Sequence, residues 1–217
     1  MTGSVYFISG IDTGIGKTYT TGYLAKIWNE QGTRTITQKL IQTGNVDVSE
    51  DIEQHRQIMG TGLLVEDETK LTMPEIFTYP ASPHLATKLD GREIDFAKIE
   101  FATKRLKEKY QAVLLEGAGG LMVPLTTELL TIDYVVQQNF PIILVTSGRL
   151  GSINHTLLSL EAIQCRGLTL HAVAYNLNDE SEDELISKDT AEYLQHYLQQ
   201  HFPNAQWWDI PVLCTNE

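Results

Sequence analysis

The stretch Val5-Tyr-Phe-Ile-Ser-Gly-Ile-Asp-Thr-Gly-Ile-Gly-Lys-Thr18 constrains this chain more than any other. An apolar run, Val5 to Ile8, stops at Ser9-Gly10. Gly14 and Gly16 follow, then Lys17-Thr18 and a helix-compatible segment, Tyr19 to Glu30, ended by Gly32. Strand, glycine-rich loop and helix in that order make a phosphate cradle. Glycines let backbone N–H groups come close to phosphate oxygens, and the helix N-terminus adds a favourable dipole. In such a cradle Gly14, Ile15 and Gly16 line the phosphates, Lys17 reaches the outer ones, and the Thr18 hydroxyl ligates Mg²⁺. The loop departs from the common Walker pattern. Position 11, where the first Gly belongs, is Ile, and five residues separate Gly10 from Gly16, so the loop is one residue longer. The stretch predicts nucleotide binding and leaves open the chemistry that follows.

The rest of the chain alternates strand and helix patterns, which predicts an α/β fold: a doubly wound, mainly parallel sheet with helices on both faces, P-loop NTPase-like. The 217 residues fit one such domain, 1–217. Gly32 to Lys39 reads as a second strand, and ligands in open α/β sheets sit at the carboxyl ends of strands, so Lys39 lies at the rim of the phosphate loop. Asp51 to Met59 reads as a short helix. Residues 60–94 are irregular, with Pro83 placed to open a helix and Asp95 to cap the next one, which runs to about Tyr110. Ala112-Val-Leu-Leu-Glu-Gly-Ala-Gly-Gly120 reads as a buried parallel strand tipped by Glu116, where P-loop proteins keep a second acidic group for Mg²⁺. A helix capped at Thr131, a strand over 141–147, a helix from Ser152 to about Cys165 and a strand over 168–175 with Asn176 at its tip follow. A helix over 182–200 and a last strand from Trp207 to Leu213 complete the pattern. The start of the Ser152 helix carries no acidic residue before Glu161; it suits either an anion or ordinary capping by Ser152, and physics alone does not separate the two.

Charge and composition exclude several functions. The balance of 16 Lys+Arg against 28 Asp+Glu, −12 overall, argues against a nucleic-acid or anionic-membrane coat. Cys165 and Cys214 lack metal-ligand or redox spacing. There is no secretory leader pattern and no run near the ~20 apolar residues a bilayer span needs, so a cytoplasmic protein is the natural expectation. The six histidines do not pair at metal spacing, no residue has the context of a covalent nucleophile, and no arginine-finger candidate stands out. What converges on the rim is Lys17, Thr18, Lys39, Asp51 and Glu116. Thr18, Asp51 and Glu116 offer oxygen ligands for Mg²⁺, and two lysines hold γ-phosphate charge. Direct phosphoryl transfer to a small bound anion follows.

These residues carry a resemblance. Gly10-Ile-Asp-Thr-Gly-Ile-Gly-Lys-Thr18 resembles the stretched P-loop of the dethiobiotin synthetases. Lys39-Leu-Ile-Gln-Thr-Gly44 is similar to that family's Lys-Pro-x-x-Ser/Thr-Gly segment; Ser82-Pro-His84, Glu116-Gly-Ala-Gly-Gly120 and Leu150-Gly-Ser-Ile-Asn-His155 resemble further signatures in the same order. The resemblance implies an ATP- and Mg²⁺-dependent ring-closing ligase acting on 7,8-diaminononanoate and CO₂. By the same resemblance Lys17, Lys39 and Thr13 are catalytic. Gly14 to Thr18, Asn176, Pro211, Val212, Leu213 and Asn216 bind nucleotide. Thr43, Glu116, Gly119, Leu150, Gly151, Ser152 and Asn154 bind substrate, the last four across a homodimer interface. Gly14 stands where better-known members often have Glu, and Leu40 replaces a Pro. Two rivals share the branch: a partitioning or cell-division switching ATPase, whose signature lysine would fall near Ile11 and Asp12, and a paralogue that binds nucleotide without turnover.

Overall fold

A computed structural model describes residues 3–179 and 183–212. Its centre is a six-stranded sheet built from β1 (Ser4–Gly10), β2 (Thr35–Lys39), β5 (Ala112–Gly120), β6 (Ile142–Ser147), β7 (Leu170–Asn176) and β8 (Gln206–Ile210). The strand order is β2-β5-β1-β6-β7-β8, and every pairing is parallel. Two short strands, β3 (Gln42–Thr43) and β4 (Ile76–Phe77), pair in parallel beside it. The architecture is the expected doubly wound, P-loop NTPase-like one.

Side-chain alternation divides the strands between two apolar layers. Val5, Phe7, Val113, Leu115, Ile142 and Leu144 pack with Ile99 and Leu106 of α5 (Phe96–Lys109), Ile132 and Val135 of α6 (Thr131–Gln138), and Leu160 and Ile163 of α7 (Ser152–Cys165). On the other face Ile8, Leu114, Ile143 and Val145 pack with Leu24 and Ala25 of α1 (Lys17–Glu30). Met59 of α2 (Glu50–Met59) joins this second layer. Parity therefore decides where Glu116 goes: two residues after Leu114, it projects toward α1 and α2. Register places Lys39 opposite Glu116 and Thr37 opposite Leu114, so these two polar residues of β2 face the same helices.

Glycines set the close approaches. Gly22, inside α1, faces α2 so tightly that a Cβ there would lie 3.1 Å from Ile58 and 3.2 Å from the His55 Cα. A mid-helix Gly costs about 1 kcal/mol against Ala; here it lets α2 press its Asp51 and His55 against the sheet rim. At Gly117 a Cβ would meet the Phe7 ring at 2.7 Å, and at Gly120 it would meet the Gly10 carbonyl at 3.2 Å. These two glycines let β5 stay against β1 through a register shift between Ile8 and Gly10, and β5 runs on to Gly120 instead of ending at Glu116 as predicted.

Capping corrects two other boundaries. Thr131 is the first residue of α6 and not its cap: Leu130 precedes the helix, Asp133 accepts from the Leu130 N–H at 3.2 Å, and the Thr131 hydroxyl donates to the Val123 carbonyl. Gly151, in left-handed conformation, precedes α7, so Ser152 does not cap it. β8 ends at Ile210, short of the predicted Leu213, which lies outside the described residues together with Asn216. By contrast Ser49 and Asp95 cap α2 and α5 with side-chain oxygens, and Pro83 opens α4 (Pro83–Asp90).

In the irregular region, α3 (Val65–Glu68) carries Asp67 into a buried fork with Arg56 of α2, Nε and Nη2 each donating at 2.8 Å. Thr72 and the Leu64 N–H complete the carboxylate's shell. Removing one partner from such a pair typically costs about 3–5 kcal/mol. Asp67→Asn should lower the unfolding free energy by about 3 kcal/mol in urea titration, whereas a change below about 1 kcal/mol would show that the pair is no anchor.

Candidate active site

The loop between β1 and α1 follows from its residues. Ile15 is a core side chain beneath the loop. Its carbonyl accepts from the Asn176 side-chain amide at 2.9 Å. Gly14 and Gly16 have φ of 72° and 94°, the left-handed region. No side-chain oxygen caps α1, and its first turn holds no acidic residue, so its N-terminal N–H groups stay available to an anion. The Lys17 ammonium bends back onto the Asp12 carbonyl at 2.9 Å. Burial pulls its pKa down to about 8; neighbouring Lys39 adds to the fall, while Glu116, Asp51 and Asp12 oppose it.

At the tips of β2 and β5 lies a dense charge junction. The Lys39 ammonium spends its three hydrogens on Asp51 Oδ2 at 2.5 Å, Glu116 Oε1 at 2.8 Å and the Gly117 carbonyl at 3.1 Å. Lys39 is 5% exposed and Glu116 0%. Burial alone would lower the Lys39 pKa, but the Glu116 and Asp51 charges outweigh it and raise it. Burial likewise pushes Glu116 up, and Lys39 together with the His55 hydrogen bond holds it well below the usual carboxylate range.

The Thr18 hydroxyl stands 3.0 Å from Asp51 Oδ1 and 3.2 Å from Glu116 Oε1. It has one hydrogen for two carboxylate oxygens, so one close O···O contact is left without a proton. Three hard oxygen donors around such a point suit a divalent cation such as Mg²⁺, with water and phosphate oxygens filling the remaining positions. Among the described residues no cluster of three or more His, Cys, Asp or Glu side chains forms a metal site; this one has two carboxylates and a hydroxyl.

A cleft of about 360 Å³ opens over this junction, with Thr13, Gly14, Gly16, Lys17, Thr43 and Gly119 among its walls. A second, of about 440 Å³, shares Thr13, Thr43 and Gly119 and continues along Pro80, Pro83 and Val123. The phosphate loop, Lys39, Asp51, Glu116, Thr43 and Gly119 are thus brought together as the sequence suggested. Asn176 is 2% exposed and turned into the protein, its oxygen accepting from Asn178. The Pro211 carbonyl accepts from the Tyr19 hydroxyl at 2.6 Å, and Val212 is exposed. Leu150, Gly151, Ser152 and Asn154 line neither cleft. Leu150 is 83% exposed, and the Ser152 hydroxyl faces Ser147.

Two participants were missed. His55 bonds Glu116, and its place four residues after Asp51 on one helical face was the available signal. Arg149 ion-pairs with Asp12 of the loop at 2.8 Å and with Asp179 at 3.5 Å. It follows β6, the strand beside β1, but nothing local marks it.

Residues 4–215 match the family described as AAA domain. The chain is 53% identical to the ATP-dependent dethiobiotin synthetase BioD 2 of Pasteurella multocida over 93% of this chain and 94% of that protein. It is also 53% identical to the ATP-dependent dethiobiotin synthetase of Chlorobaculum tepidum, over 100% of this chain and 88% of that protein. Among solved structures, the signal recognition particle receptor FtsY of Elizabethkingia anophelis with GDP superposes with a TM-score of 0.54 at 15% identity, a likeness of fold alone. It covers 95% of this chain, which spans 56% of that one.

The two loop glycines should behave differently. A Cβ on Gly16 would fall 2.2 Å from the pinned Asn176 amide, whereas one on Gly14 meets nothing within 4 Å. Gly16→Ala should cost about 3 kcal/mol and weaken nucleotide binding at least about tenfold, and Gly14→Ala only about 1 kcal/mol with affinity within about twofold. Thermal unfolding and nucleotide titration check this; equal effects at the two positions would refute the packing account.

Proposed function

The chain belongs to the dethiobiotin synthetase family, and on that premise we propose that it closes the ureido ring of dethiobiotin from 7,8-diaminononanoate, CO₂ and ATP. One amine adds to CO₂ as a carbamate and releases a proton. A carbamate oxygen attacks the γ-phosphorus, forming a carbamic-phosphoric anhydride and ADP. The second amine then attacks the carbonyl carbon, phosphate leaves with its C–O bond broken, and that amine gives up a proton. The observation that carries this reading is the Lys39 ammonium at the meeting point of the phosphate loop and the Asp51 and Glu116 carboxylates.

On this reading Lys39 and Lys17 hold carbamate and phosphoryl charge, and Thr13 faces the phosphate from across the cleft. Such preorganised charge is worth about 10²–10³ in rate per group. Thr43 meets the diamine end, while the aliphatic chain lies along Pro80, Pro83 and Val123. Both amines sit on one substrate, so positioning supplies much of the ring-closing rate. Thr18, Asp51 and Glu116 would hold Mg²⁺, which supplies Lewis-acid neutralisation of phosphate charge.

We read Gly14 to Thr18 as the phosphate cradle and Asn176, Pro211 and Val212 as the base edge, and we assign Leu213 and Asn216, which lie outside the described residues, to nucleotide binding as well. The Leu150-to-Asn154 segment, with Leu150, Gly151 and Asn154 exposed, would serve the site of a second copy. Exposed Leu158 and Met122 on nearby elements support a homodimer. We propose one working domain over 1–217 and a cytoplasmic location; among the described residues no helix is long and apolar enough to cross a membrane. The switching-ATPase rival is set aside by the family match, which runs nearly end to end.

Incubation with ATP, Mg²⁺, bicarbonate and 7,8-diaminononanoate should yield dethiobiotin by mass spectrometry. Diamine-independent ATP hydrolysis without ring product would overturn the reading. Lys39→Ala should lower ring formation by at least about 10²-fold while keeping nucleotide binding; wild-type turnover would remove Lys39 from the mechanism.

Lys17 adds a pH signature. Phosphate beside the buried ammonium restores its proton, so nucleotide binding should take up a proton above pH 8 and weaken as pH rises further. Calorimetry at about pH 8.5 in buffers of different ionisation enthalpy measures the uptake. Lys17→Met should abolish it, and an uptake unchanged in that variant would assign the proton elsewhere.

A further inference from the structure

Glu116 is held from behind. Its Oε1 faces Lys39 and Thr18, while its Oε2 accepts from His55 Nε2 at 2.8 Å. The other ring nitrogen, Nδ1, lies 3.0 Å from the Thr37 hydroxyl. Both ring nitrogens are therefore committed, and His55 is 0% exposed. An ionised carboxylate only accepts, so Nε2 carries a hydrogen. The Thr37 oxygen also receives Arg56 Nη1 at 2.8 Å, and Arg56 is itself fixed by the Asp67 fork. A continuous buried chain thus runs from α3 through Arg56, Thr37 and His55 to the oxygen of Glu116 that faces away from Thr18. Gly22 permits it, because the same tight helix contact sets the His55 backbone against α1.

We infer that His55 is a positioning residue for the cation site: it clamps Glu116 by Oε2 so that Oε1 stays turned toward Thr18 and Asp51. The inference rests on the metal assignment made above to Thr18, Asp51 and Glu116. Without the clamp a buried carboxylate can rotate about its last torsion, and a site of only two carboxylates and one hydroxyl loses a ligand direction. Outer-shell partners of metal ligands commonly govern about 10–100-fold in metal affinity or activity. His55 touches neither substrate nor reacting atoms in this arrangement, so its effect falls on cation dependence and leaves metal-free nucleotide binding alone.

The test titrates Mg²⁺ against binding of a fluorescent non-hydrolysable ATP analogue, with no turnover involved. His55→Leu, which keeps bulk and removes both hydrogen bonds, should raise half-saturating Mg²⁺ by about tenfold while metal-free analogue affinity stays within about twofold. His55→Gln, whose amide can still donate to Glu116, should bring the Mg²⁺ requirement back to within about threefold of wild type. Thermal melting of each variant establishes that it is folded. Glu116→Gln is the control for the underlying assignment. If Glu116→Gln leaves Mg²⁺ dependence unchanged, the metal site itself is wrong. If Glu116→Gln raises the requirement and His55→Leu does not, or if His55→Gln is as impaired as His55→Leu, the clamp is overturned and the metal site stands.

Discussion

The contact between the Lys39 ammonium and the Glu116 carboxylate sets the terms for everything around it. Two opposite charges are buried side by side at the tips of neighbouring parallel strands, where desolvation costs several kcal/mol per ion. Such a pair persists only if its remaining hydrogen-bonding capacity is met. Here it is met by four groups from three elements: Asp51 and His55 from α2, Thr18 from α1, and the Gly117 carbonyl of β5. The pair thereby dictates how closely α2 must approach α1 and the sheet. Gly22 in the middle of α1 is the corresponding concession in helix stability.

The same junction links fold to chemistry. β1, β2 and β5 end at one rim, as parallel strands with the order β2-β5-β1 must, and that rim is where ligands enter open α/β sheets. Phosphate arriving over Gly16 would meet an uncapped helix end, the buried Lys17 ammonium and the fully engaged Lys39. On the proposed reading, charge on the ligand would compete for Lys39, and Thr18, Asp51 and Glu116 would hold a cation in place of the ammonium that neutralises the two carboxylates. Binding would then be an exchange of partners within a prebuilt array.

Much of this was legible in the sequence because it is local. Gly10 to Thr18 fixes strand, loop and helix in order, and the apolar run ending at Glu116 puts that residue at the rim of a buried strand. Lys39 follows from the strand before it. What could not be read depends on contacts between distant segments. Gly117 and Gly120 look like a loop, yet they extend β5 because Phe7 and the Gly10 backbone occupy the space a side chain would need. His55 is ordinary in sequence and becomes a partner of Glu116 only through the α1–α2 approach. Arg149 reaches Asp12 because β6 lies beside β1, a fact of strand order and not of spacing. Thr131 looked like a cap because its type favours that role, but Asp133 reaches back to Leu130 and the Thr131 hydroxyl is spent on Val123.

The most direct measurement is a crystal structure with Mg²⁺ and a non-hydrolysable ATP analogue bound. The expected result is a metal ion ligated by Thr18, Asp51 and Glu116, with the Lys39 ammonium released from at least one carboxylate and turned to the γ-phosphate. A metal bound elsewhere, or a Lys39 still holding Asp51, Glu116 and the Gly117 carbonyl with nucleotide in place, would contradict the site proposed for this chain.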